Sequence, residues 1–337
     1  MSTTRIPQLD GLRGLAIAAV FIHHAYHAKL LWMGVDLFFC LSGYLITSIL
    51  LKAKGNPFKS YIGAFYARRV RRILPPYVVI MVLVSILFSL SWTRYWYLYL
   101  GGMNFLAPLH LQSIKELPLW SLAVEEQFYF LWPIAVFYLS PKHLKACAIG
   151  LLVLAPILRY VCTPLFHLHW AIYMLLPFRM DTLAAGALIA IVWPGLKDRV
   201  RTARVAWSGG ALIVLSLVAI VLLSRYGYTT DSNTRIGNVW IYESTLCISA
   251  CMLVLSLAGV GKEILSIRPL GYLGIISYSI YLSHLGALDL SPHKSVPIAA
   301  IGTIIYASLM WFLVERPILN YKRSRVKESS EQRKYVS

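Results

Sequence analysis

The chain has 337 residues, 58% of them hydrophobic and only 14% charged, with a formal net charge of +18. Soluble domains carry roughly a quarter charged residues, so the composition excludes an ordinary soluble domain and points to repeated burial in lipid. The positive charge alone would suit a nucleic-acid binder, but its distribution along the chain excludes that reading.

Apolar runs occupy 11–28, 34–53, 74–91, 120–140, 144–161, 173–193, 206–223, 240–258, 270–289 and 296–314. Each is close to the roughly 20 residues that a helix needs to cross the hydrocarbon core. The predicted fold is therefore an all-α, polytopic membrane protein with about ten transmembrane helices. The first run follows a short polar start with no small-residue cleavage site behind it, so it is expected to be retained as a helix. The stretch 95–111 is apolar but rich in Trp, Tyr and Gly, and reads as an interfacial or re-entrant piece. Residues 1–317 form the expected membrane domain, and 318–337 a charged, loose tail.

With the N-terminus inside, 23 of the 32 Lys and Arg residues fall on inner segments and six on outer ones. That is the positive-inside pattern. It predicts a multi-pass protein of the cell (inner or plasma) membrane with both termini cytoplasmic, and it makes anionic lipid a partner of the basic segments. The five cysteines sit in or beside the apolar runs. Neither a disulfide framework nor a zinc-type spacing is expected, and no metal or resident cofactor is predicted.

Ionisable groups inside membrane helices are costly and are candidates for function. Arg13 and His24 lie in the first run, 11 residues apart. At about 100° and 1.5 Å per residue they share one face, about 16 Å apart along the axis. A cation at one end and an imidazole at the other suit a long anionic substrate with a reactive tip. The alternatives are an Arg13–Asp10 pair at the helix start and a merely hydrogen-bonded core histidine. Asp36 opens the second run at the level expected for His24, where a carboxylate would fix the imidazole tautomer or complement the helix dipole. Arg68, Arg69, Arg71 and Arg72 cluster before the third run, either to grip phosphate oxygens or to anchor the topology. Glu125 and Glu126 begin the fourth run, lining an acceptor cavity or capping a helix. Arg179 and Asp181, two residues apart, point to different faces, and each requires a partner elsewhere. His284 ends a polar face of the ninth run.

The ordered set QLDGLRGLAIAAVFIHH, GVDLFFCLSGYLI, FYARRVRRILPPY, WSLAVEEQFYFLWP, LGIISYSIYLSH and the late ERP resembles the acyltransferase 3 family of membrane acyltransferases. Any one of these motifs is weak; their order over nearly the whole chain is specific. The resemblance implies transfer of an acyl group, commonly acetyl, from cytoplasmic acyl-CoA to a hydroxyl, often on a carbohydrate or lipid-linked glycan. It makes His24 the general base and assigns Asp36 to the catalytic set. Arg13, Arg68, Arg69 and Arg72 become donor-binding residues, and Glu125, Glu126 and His284 acceptor-site candidates. Some members carry an extra soluble esterase-like domain, for which these 337 residues leave no room. Direct transfer and an acyl-histidine intermediate both remain open. A transporter or flippase of a glycan or lipid intermediate would explain the helices and buried charges equally well, but not the motifs.

Overall fold

The computed structural model describes residues 6–89, 93, 103–105, 117–199 and 201–320. Apart from a 3-10 turn at Met103–Phe105, the expected interfacial piece 95–111 lies outside the described residues, as does most of the tail. Among those residues, ten helices of 15 residues or more follow one another: α1 (Pro7–Tyr26), α2 (Gly34–Ala53), α3 (Phe58–Leu87), α4 (Leu119–Tyr138), α5 (Pro141–Cys162), α6 (Met180–Leu196), α7 (Thr202–Arg225), α8 (Arg235–Leu257), α9 (Arg268–Leu290) and α10 (Val296–Met310). No strand interrupts them among the described residues. Seven helical segments are long and apolar enough to cross a membrane, so the protein is an all-α, polytopic membrane protein. α1, α4 and the shorter α6 do not meet that measure. The apolar runs of α1 and α4 are broken by Asp10, Arg13, His23 and His24, and by Glu125, Glu126 and Gln127.

Two expected boundaries move. The third run was placed at 74–91, but α3 starts at Phe58 and passes through Pro75 and Pro76. The arginines are therefore on a helix and not in a loop before one. Hydropathy marks where lipid begins, and the helix continues beyond it in charged sequence. The sixth run was placed at 173–193, but α6 starts at Met180, after a short helix Trp170–Met174 and a turn at Leu176–Phe178. Pro177 removes a backbone donor and breaks the run. The last helix changes from α to π winding at Trp311–Glu315, a local widening often seen at functional positions.

The chain divides into two compact units. The first comprises Met1–Asn56, Tyr97–Ile114 and Pro118–Ile275, and the second Pro57–Trp96, Lys115–Leu117 and Ile276–Ser337. In the first unit α2 is central: it packs on α1, α4, α6 and α8, most extensively on α6. Glycine makes that closeness possible. A Cβ at Gly43 would lie 1.9 Å from the Leu183 carbonyl oxygen, and one at Gly186 1.9 Å from that of Cys40. Leu9, Leu12 and Ala16 of α1 join Leu37, Cys40, Leu41 and Tyr44 of α2 in one buried cluster, with Ala190 and Leu253. In the second unit the Tyr278 hydroxyl donates to the Ile73 carbonyl at 3.1 Å, and Ser279 donates to the buried Glu315 at 2.7 Å.

Candidate functional site

α1 carries Arg13 and His24 on one unbroken helix, which ends where His27 takes a left-handed conformation (φ 52°). Both side chains are half-buried. His24 Nδ1 lies 2.9 Å from the carbonyl oxygen of Val20. A carbonyl oxygen only accepts, so Nδ1 carries the proton and the neutral ring keeps its lone pair on Nε2. His23 makes the equivalent bond to the Ala28 carbonyl at 3.0 Å, and the two rings meet edge-on at 4.8 Å.

Asp36 has other partners than the one expected. It is 1% exposed; Arg179 donates to Oδ1, and Thr245 donates to Oδ2 at 2.6 Å. The expectation that Asp36 orients the His24 ring is thus corrected: the backbone of α1 itself selects the tautomer, and Asp36 is taken up by an ion pair. The cause is burial, because a carboxylate this far from water requires a cation beside it.

That ion pair belongs to a larger buried network. Arg159, 0% exposed, bonds Asp181 at 2.6 Å and Glu243 at 2.5 Å, and donates to the Phe178 carbonyl at 2.5 Å. Arg179 lies over the rings of Trp32, Phe39, Tyr173 and Tyr242, at 5.5, 5.7, 5.6 and 4.7 Å from their centroids. Arg179 and Asp181 each find a partner on another element, as their opposed faces required. Sequence reading gave no role to Arg159, Glu243 or Thr245. An ionisable residue inside an apolar run was the available signal for the first two.

Of the two neighbouring carboxylates on α4, Glu125 is tied to the second motif. Ser42 of α2 donates to its Oε1 at 2.8 Å, and Tyr129 to its Oε2 at 2.7 Å. Further along the same pair of helices, Trp132 Nε1 donates to Thr47 at 2.8 Å. Gln127 and Asn104 exchange two amide hydrogen bonds, of 3.0 and 3.1 Å. Glu126 is half-buried beside them. The first unit thus brings together the LDGLR…HH, GVDLFF…SGY and VEEQFY motifs.

Arg68, Arg69 and Arg72 belong to the second unit, on α3. Arg68 is exposed, whereas Arg69 and Arg72 are half-buried. The latter two are three residues apart and share a face, and the Arg69 guanidinium lies 5.8 Å from the Phe65 ring centroid. His284 of α9 is 0% exposed in the same unit, with Nδ1 2.8 Å from the Tyr281 carbonyl oxygen.

With this geometry in place, comparison with known proteins adds the following. Residues 6–317 match the model of the acyltransferase 3 family, described as "Acyltransferase domain". The chain is 32% identical to "Putative peptidoglycan O-acetyltransferase YrhL" of Bacillus subtilis, over 93% of its own length and 55% of that protein's. It is 29% identical to "Peptidoglycan O-acetyltransferase OatA" of Listeria monocytogenes, over 93% of its own length and 56% of that protein's. The chain therefore spans a little over half the length of these curated relatives. No solved structure matches it.

Proposed function

The chain belongs to the acyltransferase 3 family, and from that premise we propose that it transfers an acetyl group from cytoplasmic acetyl-CoA to a carbohydrate hydroxyl, with His24 as the general base. The observation that carries this reading is the bond from His24 Nδ1 to the Val20 carbonyl, which leaves the lone pair on Nε2. In the reaction Nε2 removes the proton from the acceptor hydroxyl as that oxygen attacks the thioester carbonyl. The carbon–sulfur bond breaks, and the CoA sulfur leaves with the proton returned by the imidazolium. The products are the acetyl ester and free CoA. Base assistance of this kind contributes about 10²–10⁴ in rate.

The donor-binding candidates that hold phosphate are Arg13 in the first unit and, by themselves in the second, Arg68, Arg69 and Arg72. Arginine is suited to this because its planar fork pairs phosphate oxygens bidentately. Glu125 is held at two oxygens by Ser42 and Tyr129, which suits it, with Glu126, to an acceptor-binding role; His284 is the acceptor candidate of the second unit. Peptidoglycan named in the relatives supports a carbohydrate acceptor. Both termini lie in the cytoplasm, with the donor entering at the Arg13 end of α1.

The test is acceptor-dependent release of CoA by the purified protein in detergent, given acetyl-CoA and a soluble peptidoglycan-derived oligosaccharide. Release that needs both substrates is expected. Transport of a glycan across a proteoliposome membrane, with no CoA released, would replace this reading with the transporter.

A further inference from the structure

We infer that Arg179 is a positioning residue for His24: it grips the α1–α2 hairpin through Asp36 and Trp32. This inference rests on the reading of His24 as the base. The hairpin is gripped at two points. Arg179 donates to Asp36 in the first turn of α2 and lies over the ring of Trp32, in the connection Lys29–Met33 between the two helices. Thr245 of α8 holds the second carboxylate oxygen of Asp36 at 2.6 Å. The first turn of α2 in turn abuts the stretch of α1 that sets the histidine. A Cβ at Gly34 would lie 2.6 Å from the Ala16 carbonyl oxygen, 3.0 Å from Val20 Cγ2 and 3.2 Å from Ala19 Cβ. Val20, 0% exposed, supplies the carbonyl bonded by His24.

The path from cation to base is therefore short: Arg179, Asp36, Gly34, Val20, His24. The links are an ion pair, two residues of the first turn of α2, a close approach of Gly34 to the Val20 side chain, and a hydrogen bond. Arg179 is itself fixed by its aromatic surround of Phe39, Tyr173 and Tyr242. It is also next but one in sequence to Asp181, which Arg159 holds. Packed interiors respond to such a change by discrete shifts. Loosening the grip would move the His24 turn without touching either substrate. A displacement of about 1 Å at a catalytic group costs on the order of 10²-fold in rate.

The experiment compares Arg179→Gln, Thr245→Val and His24→Ala, singly and with each of the first two combined with His24→Ala. Acetyl-CoA and a soluble peptidoglycan-derived oligosaccharide are the substrates, and acetyl-CoA binding is measured separately by calorimetry. Arg179→Gln is expected to lower kcat about 10²-fold while the acceptor KM and donor Kd stay within about twofold of the parent. In the His24→Ala background it should slow the residual reaction no further, because residues acting through one another are non-additive. Losses that multiply, or that track a fallen folded fraction, would reduce Arg179 to a structural role. Should Arg179→Gln fail to fold, Thr245→Val decides, since it removes one bond from Asp36 and leaves the ion pair intact. It should lower kcat on the order of tenfold, again only when His24 is present, and an unchanged kcat would overturn the inference. Normal turnover by His24→Ala would overturn the general-base reading itself. Full dependence on His24 with multiplying losses would overturn only the role of Arg179.

Discussion

Two polar regions of the first unit are built by opposite means. In the network of Arg159, Arg179, Asp36 and Asp181, every member is 1% exposed or less, and each is paired with an opposite charge. Around His24 and Glu125 the side chains are only half-buried, and the bonds to them include one with a carbonyl, one from a serine and one from a phenol. The difference is physical. A charge removed fully from water is tolerable only beside a counter-charge, and such a pair is costly to break. That suits it to fixing geometry. A group at the edge of water can gain and lose a proton at a smaller cost than one wholly removed from it. That suits it to chemistry.

The comparison breaks first at His24. Replacing it with Ala should lower turnover by about 10²–10⁴ while acetyl-CoA binding persists, because Arg13, the proposed phosphate ligand on the same helix, lies about 16 Å away along α1. His23→Ala should keep substantial activity. Steady-state CoA release by the purified variants measures both. Near-normal turnover by His24→Ala would pass the role of base to Glu125 or Glu126.

Arg159→Met tests the other region. It strips Asp181 and Glu243 of their shared guanidinium and should cost about 3–5 kcal/mol of stability, the usual penalty for breaking a buried pair. Thermal unfolding in detergent reads it. The protein that remains folded should retain His24-dependent turnover. A variant as stable as the parent would show that the network does not hold the fold.

Arg69→Lys with Arg72→Lys sharpens the contrast from the second unit. Charge is kept and the fork is lost, so donor affinity should fall on the order of tenfold with kcat little changed. Unchanged acetyl-CoA affinity in calorimetry would return these arginines to a topological role. The smallest effect is expected from Ser42→Ala, which removes the hydroxyl that donates to Glu125 Oε1. A rise of several-fold in acceptor KM fits the net worth of one hydrogen bond, about 0.5–1.5 kcal/mol. An unchanged KM would detach Glu125 from the acceptor.

Most of the helices were legible along the chain, because a span must be a continuous apolar run of fixed length, and α2, α5, α7, α8 and α9 fall where such runs lie. The start of α3 was not, since a helix needs no apolar sequence once it leaves the lipid. Arg13 and His24 could be placed on one face from their spacing, because both belong to a single helix. Which group orients His24 could not be read from spacing. The sequence brings Asp36 near by apparent level, and only the tertiary structure shows it bonded to Arg179 and Thr245, which lie far along the chain. Likewise nothing local tells that Ser42 meets Glu125 or that Thr47 meets Trp132. Periodicity and composition act over a few turns of helix and determine elements, faces and the presence of costly charges. The choice of partner for each charge is made between helices, where burial demands a counter-charge and close packing, as at Gly43 against Leu183 and Gly186 against Cys40, decides which one is within reach.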